Sequence, residues 1–280
     1  MSDALVVNEI YLSLQGESTF AGLPCVFVRL AGCNLRCSYC DTAYAFTEGR
    51  KMALEEVRRE VHRLGASFPR SAVAEVARLA SNGECEMGNA ELQNEPLHET
   101  DEGEFPYAAS RRLPLVELTG GEPLLQPAAL LLLKALCDDG FVVLLETSGA
   151  LDIAGVDPRV HRIMDLKCPS SGEGERNRWE NLRHLRATDE IKFVIGTHED
   201  YVWARQVIAE HHLAALCPLL VSWVTPLAPE QQDPSLKKVP PAQTPLTRQQ
   251  LAGKIIADAL PVRFQLQMHK FIWPPAQRGV

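Results

Sequence analysis

Three cysteines stand close together in the run Gly32-Cys33-Asn34-Leu35-Arg36-Cys37-Ser38-Tyr39-Cys40-Asp41-Thr42, with the spacing C-x3-C-x2-C. Iron–sulfur clusters are ordinarily held by four cysteine thiolates, so a compact triplet leaves one iron of a cubane cluster without a protein ligand. That iron can bind a small molecule, which turns an electron-storage site into a reaction site. Two alternatives stay open: a structural zinc site completed by Cys85 or Cys168, and three unrelated core thiols. Zinc sites usually contain CxxC pairs, which C-x3-C does not match.

The bulk composition is that of a globular protein. The chain has 280 residues, 46% hydrophobic and 23% charged, with a net charge of -8, which argues against a nucleic-acid partner. Residues Met1–Ala4 contain no basic segment before an apolar one, and the longest apolar run, Ala128–Leu133, is too short to span a membrane. We therefore expect a cytoplasmic protein without a membrane partner. The cysteines outside the triplet are predicted to be buried, unreactive thiols; they are Cys25, Cys85, Cys137, Cys168 and Cys217.

Strand-like apolar runs alternate with helical patterns along the chain. The predicted strands are Cys25–Leu30, Leu115–Leu118, Val142–Leu145, His161–Leu166, Ile191–Ile195, Leu219–Trp223 and Phe264–Met268. The predicted helices are Ala53–Leu64, Pro127–Cys137, Asn177–Arg186, Glu199–His212 and Thr247–Leu260. This alternation predicts right-handed βαβ units and a parallel sheet. About six such units are too few to close an eightfold barrel, so we predict an α/β fold, a partial (open) TIM-like barrel of about six parallel strands with outer helices.

We predict a single domain over residues 1–280 that carries two loops. Residues 81–110 contain eight acidic residues and no Lys or Arg, which indicates an acidic loop insertion. Both a lid and a solvated loop fit this composition. Residues 231–247 are rich in Pro and Gln and are predicted to form a second exposed loop.

The triplet directly follows the strand Cys25–Leu30, and the aromatic Tyr39 precedes its last cysteine. This arrangement resembles the radical S-adenosylmethionine (SAM) superfamily, in which the open iron binds the amino and carboxylate groups of SAM. Reductive cleavage of the sulfonium then yields a 5′-deoxyadenosyl radical, so the cofactor supplies the difficult chemistry. The segment Thr119–Pro123, after the strand ending at Leu118, is similar to the superfamily's GGE motif. Its glycines permit close approach to the main chain, and its Glu can accept from an ammonium; alone, the segment would be a turn.

Further segments resemble the 7-carboxy-7-deazaguanine synthase family: Leu12–Glu17 with the letters LSLQGE, Arg29, Asp41-Thr42 and Gln267–Trp273. The resemblance covers nearly the whole chain except residues 65–112. It implies a radical lyase that converts 6-carboxy-5,6,7,8-tetrahydropterin to 7-carboxy-7-deazaguanine with release of ammonia, on the route to 7-cyano-7-deazaguanine and queuosine. It also implies a [4Fe-4S] cluster, SAM and magnesium, an electron-donor protein and a homodimer, with no catalytic side chain beyond the cluster and the cofactor.

The resemblance assigns roles to individual residues. Those implied to bind substrate are Leu14, Gln15, Gly16, Glu17, Arg29, Thr119 and Val280. Those implied to bind SAM are Tyr39, Cys40, Asp41, Gly121, Glu122, Ser148, Lys167 and Lys192. The implied cluster ligands are Cys33, Cys37 and Cys40, and Thr42 is the implied magnesium ligand.

Simpler explanations for some of these residues stay open. Arg29 could form a salt bridge with Glu17, Thr42 could be a helix N-cap, and Lys167 and Lys192 could be surface charges. At the level of function, the C-x3-C-x2-C spacing also occurs in glycyl-radical enzyme activases, which act on a partner protein. A non-catalytic metal-binding scaffold is the other alternative function.

Overall fold

The computed structural model describes residues 3–68, 112–274 and 277–280. The described residues form nine strands: β1 Ala4–Leu14, β2 Pro24–Leu30, β3 Arg50–Ala53, β4 Arg112–Gly120, β5 Phe141–Thr147, β6 His161–Asp165, β7 Glu190–Ile195, β8 Leu219–Trp223 and β9 Arg263–Gln265. The helices are α1 Leu54–Gly65, α2 Ala128–Asp138, α3 His198–Glu210, α4 Arg248–Ala257 and α5 His269–Ile272. The predicted acidic insertion at 81–110, including Cys85, lies outside the described residues.

All nine strands belong to one sheet with the order β3-β1-β2-β4-β5-β6-β7-β8-β9. Within the described chain, neighbours from β2 to β9 are parallel, while β1 is antiparallel to both β2 and β3. The order begins at β3 and ends at β9, so the sheet stays open. The predicted α/β fold with a partial, open barrel is thus confirmed, with seven parallel strands where about six were predicted.

Strand β1 is absent from the sequence-based prediction, which placed Leu12–Glu17 before the first strand. That placement is wrong, because Leu12–Leu14 is the end of β1. The residues Val6, Val7 and Tyr11 carry the β-branched and aromatic side chains that favour strands. Because β1 runs antiparallel to β2, with Leu14 opposite Pro24, the turn that follows β1 leaves the sheet at the amino ends of the parallel strands.

The two faces of the sheet bury different side chains. On β4, Val116 and Leu118 belong to the main core, which packs the outer face against α1 and α2. Leu115 lies on the opposite face in a smaller apolar cluster inside the barrel. Because side chains alternate along a strand, Glu117 and Thr119 follow Leu115 on this inner face. The inner face is thus apolar at its base and polar towards the strand ends.

Two predicted helices begin at well-formed caps, and a third prediction is wrong. The hydroxyl of Thr197 accepts from Asp200 N at the start of α3, and Thr247 does the same with Gln250 N at α4. The segment Asn177–Arg186 instead forms only a 3-10 turn over Trp179–His184. The buried Asn181 amide donates to the carbonyls of residues 149 and 151 at 3.0 and 2.7 Å, so this segment is held by contacts to a distant part of the chain. None of the helices in the described part of the chain has the length and apolar character to cross a membrane.

Candidate active site

A cavity of about 610 Å³ opens at the carboxyl ends of the parallel strands, where ligands bind in open α/β sheets. Its wall contains the turn after β1 and the loop after β2 that carries Cys33, Cys37 and Cys40, called the cysteine loop below. The ends of β4 to β7 and the last residues of the chain complete the wall. Every residue that the sequence assigned to substrate, SAM, cluster or magnesium lines this cavity, with the exception of Glu122. The topology therefore brings together residues that lie up to 266 positions apart, from Leu14 to Val280.

The cysteine loop after β2 is held by its own backbone and by a buried carboxylate. The thiol sulfur of Cys33 accepts from Leu35 N at 3.4 Å, and Cys40 N donates to the carbonyl of Cys37 at 3.2 Å. Arg36 N donates to Glu173 Oε1 at 2.7 Å, which ties the loop to the segment after β6. Burial raises the pKa of the Cys37 thiol to about 12, although Lys167 acts in the opposite direction. Cluster binding must therefore displace protons from these thiols.

The residues of the loop fit an iron–sulfur cluster better than a single ion. Among residues 3–68, 112–274 and 277–280, no three Cys, His, Asp or Glu side chains are placed to hold one metal ion. The zinc alternative therefore lacks its tetrahedral ligand set there. In a cubane each thiolate binds its own iron, so the three thiols need not converge on one point. Cys168 is fully buried outside the cavity wall, and Cys25, Cys137 and Cys217 are buried as predicted.

The wall near the loop also contains two buried polar atoms that have no hydrogen-bond partner in the described structure: the Tyr39 hydroxyl and Asp165 Oδ1. Leaving a buried polar group unpaired costs about 1–3 kcal/mol. The other oxygen of Asp165 accepts from Lys167 Nζ at 2.7 Å. A ligand with ammonium or hydroxyl groups, such as SAM, fits these two atoms.

The Gly-Gly-Glu segment at the end of β4 packs against the start of the cysteine loop, where Gly121 N donates to the Leu30 carbonyl at 3.2 Å and Glu122 N to the Gly32 carbonyl at 2.9 Å. A side chain at Gly121 would place its Cβ 2.1 Å from the Gly32 carbonyl oxygen, and one at Gly120, whose φ is +143°, would lie 2.3 Å from the Leu30 carbonyl oxygen. The predicted reason for both glycines was the close approach of a ligand. In the structure their immediate neighbours are the backbone atoms of the chain itself, at the point where the cysteine loop begins.

Glu122 is fully buried and is the predicted site residue that does not line the cavity. Its carboxylate accepts from Leu124 N at 3.0 Å, from the Thr147 hydroxyl at 2.9 Å and from Ser148 N at 2.8 Å. It also accepts from the Ser148 hydroxyl at 2.5 Å. These contacts make it a positioning residue that fixes the end of β5, where Ser148 faces the cavity.

We expect Gly121→Ala to lower the free energy of unfolding by about 2–4 kcal/mol, in the upper range for single substitutions, and to reduce iron binding. The reason is that the new methyl group must displace the Gly32 backbone beside Cys33, the first predicted cluster ligand. Urea unfolding and iron content after reconstitution measure both effects. The matched control is Gly253→Ala in α4, where an added Cβ meets nothing within 4 Å and alanine favours the helix by about 1 kcal/mol. Equal midpoints and iron contents in the two variants would contradict the packing argument.

Lys192 is the centre of a buried charged network. Its ammonium pairs with Glu17 Oε2 at 3.2 Å and with Glu146, whose other oxygen accepts from the Thr119 hydroxyl at 3.1 Å. Burial would raise the pKa of Glu17, but Lys192, His269 and Lys270 outweigh it and lower that pKa to about 2. Lys192 is 3% exposed, and Lys167 is also buried. The prediction that these lysines could be surface charges is therefore wrong.

Arg29 is held in a different way from the salt bridge considered above. Its Nε donates to Glu9 Oε1 at 2.8 Å and its Nη2 donates to the Tyr11 hydroxyl at 2.8 Å. Glu9 also accepts from the Tyr44 hydroxyl at 3.0 Å. A pairing of Arg29 with Glu17 is thus wrong, because Lys192 takes that carboxylate. Glu9 and Tyr11 were not predicted as site residues, because strand β1, which carries them, was missed.

Two segments cover the mouth of the cavity. On α5, Lys270 Nζ pairs with Asp41 Oδ2 at 2.7 Å, and despite burial this cation holds the pKa of Asp41 below its usual range. Near the end of the chain, Arg278 pairs with Glu48 at 2.5 Å, and its guanidinium carbon lies 3.9 Å from the centre of the Tyr44 ring. These contacts place Val280 at the cavity wall, and no motif in the sequence indicated Arg278 or Glu48.

Thr42 precedes the 3-10 turn Ala43–Phe46 as its N-cap, but its side chain makes no capping hydrogen bond. Its hydroxyl lies 3.7 Å from Cys40 Sγ and faces the cavity. The position of an N-cap is therefore correct, while the hydroxyl is not used for capping. A hydroxyl of this kind is a suitable oxygen ligand for magnesium.

No family model matches the chain. The chain is 38% identical over 275 residues to the 7-carboxy-7-deazaguanine synthase of Koribacter versatilis. The aligned residues cover 98% of this chain and 99% of the relative. It is 39% identical over 279 residues to the enzyme of the same name from Chlorobaculum tepidum, covering 99% and 97%. Among solved structures it resembles QueE from Escherichia coli, with a TM-score of 0.57, 18% identity and 94% coverage of both chains. The structural likeness shows that the two chains share a fold. The two relatives, which match nearly the whole chain, show its family.

Proposed function

Because the chain belongs to the 7-carboxy-7-deazaguanine synthase family, we propose that it is a radical SAM lyase that forms 7-carboxy-7-deazaguanine from 6-carboxy-5,6,7,8-tetrahydropterin with release of ammonia. The observation that carries this proposal is that the cysteine triplet and the residues assigned to SAM and to substrate, apart from Glu122, line one cavity. A [4Fe-4S] cluster and SAM, when bound, supply a 5′-deoxyadenosyl radical that takes a hydrogen atom from the substrate. The contribution of the chain is binding, orientation and charge.

On this proposal, Cys33, Cys37 and Cys40 hold the cluster. The two unpartnered atoms of Tyr39 and Asp165 lie beside the cluster ligands and supply hydrogen-bonding capacity for the polar groups of SAM. Their burial fixes both side chains before the cofactor enters, so little orientational freedom is lost on binding.

The substrate binds on the opposite side of the cavity. Arg29 presents a guanidinium whose orientation is fixed by Glu9 and Tyr11, and such a fork matches a carboxylate or a ring oxygen. Glu17 is ionised at neutral pH because its pKa is about 2, so it accepts hydrogen bonds from the N–H groups of a pterin. Its neighbours Lys192 and Gln267, which donates to Glu17 Oε1 at 2.9 Å, hold this carboxylate in place.

The decisive experiment is anaerobic reconstitution with iron and sulfide, followed by assay with SAM, a reductant and the carboxylated pterin. We expect 7-carboxy-7-deazaguanine and ammonia in equal amounts. Formation of 5′-deoxyadenosine only with a partner peptide would instead favour the glycyl-radical activase. Bound zinc without iron or sulfide would favour the non-catalytic scaffold.

We propose that magnesium binds Thr42, waters and the substrate carboxylate and so orients the substrate. Thr42→Ala is expected to raise the magnesium concentration for half-maximal activity by about 10–100-fold, the scale on which a lost ligand contact weakens a metal site. Thr42→Ser keeps the hydroxyl and serves as the control, with a magnesium titration close to that of the unmodified protein. Identical titrations for all three proteins would remove Thr42 from the proposed site.

Reduction of the cluster needs an electron from outside the chain, so the proposal includes an electron-donor protein as a partner. A homodimer follows from the family resemblance alone. Light scattering of the reconstituted protein tests the dimer, and turnover with a protein reductant compared with dithionite tests the donor.

A further inference from the structure

Glu117 is a carboxyl group that the function described so far does not use. It stands on the inner face of β4 and lines the cavity, yet it is only 2% exposed. The sequence places it within the strand-like segment Leu115–Leu118, where a carboxylate is unexpected. Buried carboxyl groups in a cleft are candidates for a functional role.

The contact that Glu117 makes reaches the substrate side of the cavity. Gln15 Nε2 donates to Glu117 Oε2 at 3.1 Å, and Gln15 Oε1 accepts from Glu17 N at 2.9 Å and from Ser18 N at 3.0 Å. The Gln15 oxygen thus accepts two hydrogen bonds from the turn, while its amide nitrogen donates to Glu117. Gln15 therefore links the Glu117 side chain to the turn that carries Gly16 and Glu17.

Glu117 also borders a set of charges that is already rich in carboxylates. Lys192 pairs with both Glu17 and Glu146, so this cation is already shared by two carboxylates. An ionised Glu117 adds a third carboxylate to the same lysine. Like charges repel more strongly in a buried site than in water, and an ionised Glu117 would also repel an anionic ligand bound in the same cavity.

We propose that Glu117 controls the charge of the substrate pocket, so that a carboxylate-bearing substrate binds while the Glu117 side chain is uncharged and is released when it ionises. This inference rests on the proposed function, because it takes the carboxylated pterin as the ligand. Glu117 acts here as a specificity-determining and positioning residue through Gln15 and through the local charge. It takes no part in hydrogen transfer.

The groups around Glu117 allow its ionisation to be observed separately. The titratable groups that face it are Tyr11 of β1, Glu17 after β1, Cys25 of β2, Glu146 of β5 and Lys192 of β7. Burial and, to a smaller degree, Glu146 raise the pKa of Glu117 to about 8, against the Gln15 hydrogen bond and Lys192. Burial raises the pKa of Tyr11 to about 12 and that of Cys25 well above its ordinary value, whereas Glu17 has a pKa of about 2. None of these three groups has a pKa close to that of Glu117, so none of them changes charge in the same pH range.

The test measures the dissociation constant of the reconstituted protein for the carboxylated pterin between about pH 7 and 9.5. We expect it to rise by about tenfold for each pH unit above about 8, because only the uncharged form binds. In Glu117→Gln, which keeps an oxygen acceptor for Gln15, the dissociation constant is expected to stay flat and close to the neutral value. The matched control is Glu190→Gln, which removes another buried carboxyl of raised pKa that lies outside the cavity wall; it should retain the slope.

Two further measurements use the unmodified protein, in case Glu117→Gln does not fold. The same tetrahydropterin without its carboxylate should bind with no dependence on pH, because it carries no negative charge. In unfolding experiments, the stability that protonated Glu117 contributes is present below about pH 4.5 and is lost as the pH rises through about 8. A slope that persists in Glu117→Gln, or that appears equally with both pterins, would overturn the inference. Binding with the expected slope but without turnover would contradict the proposed function alone.

Discussion

Replacing Cys37 by alanine is expected to abolish SAM-dependent activity, with a loss of at least about 10,000-fold, because the variant loses the group on which the whole rate enhancement depends. Cys37 is buried and faces the cavity between the other two thiols in sequence. A cluster with two thiolates has two unprotected irons and does not persist. Iron and sulfide content, the visible absorbance of the cluster and 5′-deoxyadenosine formation measure this loss.

The matched control for that experiment is Cys217→Ala. Cys217 is also buried, but it belongs to the outer core and does not line the cavity. We expect it to keep the cluster and to lose about 1 kcal/mol of stability, the centre of the range for single substitutions. A Cys37→Ala protein that retained iron, sulfide and activity would contradict the assignment of the triplet as the cluster site.

Lys192→Met is expected to lower the free energy of unfolding by about 3 kcal/mol at neutral pH, the low end of the cost of breaking a buried pair, because it leaves two partly buried carboxylates without their cation. Methionine keeps most of the volume of the side chain, so the loss reports charge rather than packing. Folded Glu17 has a pKa of about 2 in place of 4.5. Its contribution is therefore present above about pH 4.5 and is lost as the pH falls towards 2. The difference between the two proteins should shrink over the same interval, which urea unfolding at several pH values measures.

Lys134→Met provides the comparison for Lys192→Met. Lys134 is 60% exposed and pairs with Asp138 on the surface of α2, and exposed pairs of this kind contribute about 0–1 kcal/mol. We expect a small effect without the same dependence on pH. Equal losses of stability in the two variants would show that the pairs of Lys192 with Glu17 and Glu146 stabilise the protein no more than an exposed pair does.

The fold class was predictable from the sequence because its evidence is local. Continuous apolar runs such as Val142–Leu145 mark strands covered on both faces, and apolar positions in Leu54–Gly65 recur at helical spacing. The segment around Asn181 was mistaken for a helix, because the buried contacts of its amide with residues 149 and 151 join parts of the chain that local pattern does not connect. Strand β1 was missed although its composition favours a strand, since partly exposed β1 does not form a continuous apolar run.

The sequence alone determined the cysteine triplet, the Gly-Gly-Glu segment and the alternation of strands and helices, because each depends on neighbours within a few positions. Only the tertiary structure decided the partners of the charged groups: Arg29 with Glu9, Lys192 with Glu17 and Glu146, and Glu117 with Gln15. These pairs join residues of different strands and of the turn after β1 inside the barrel. Which residues pair depends on strand order and register, because these decide which side chains share the inner face of the sheet. Neither can be deduced from the spacing of residues along the chain.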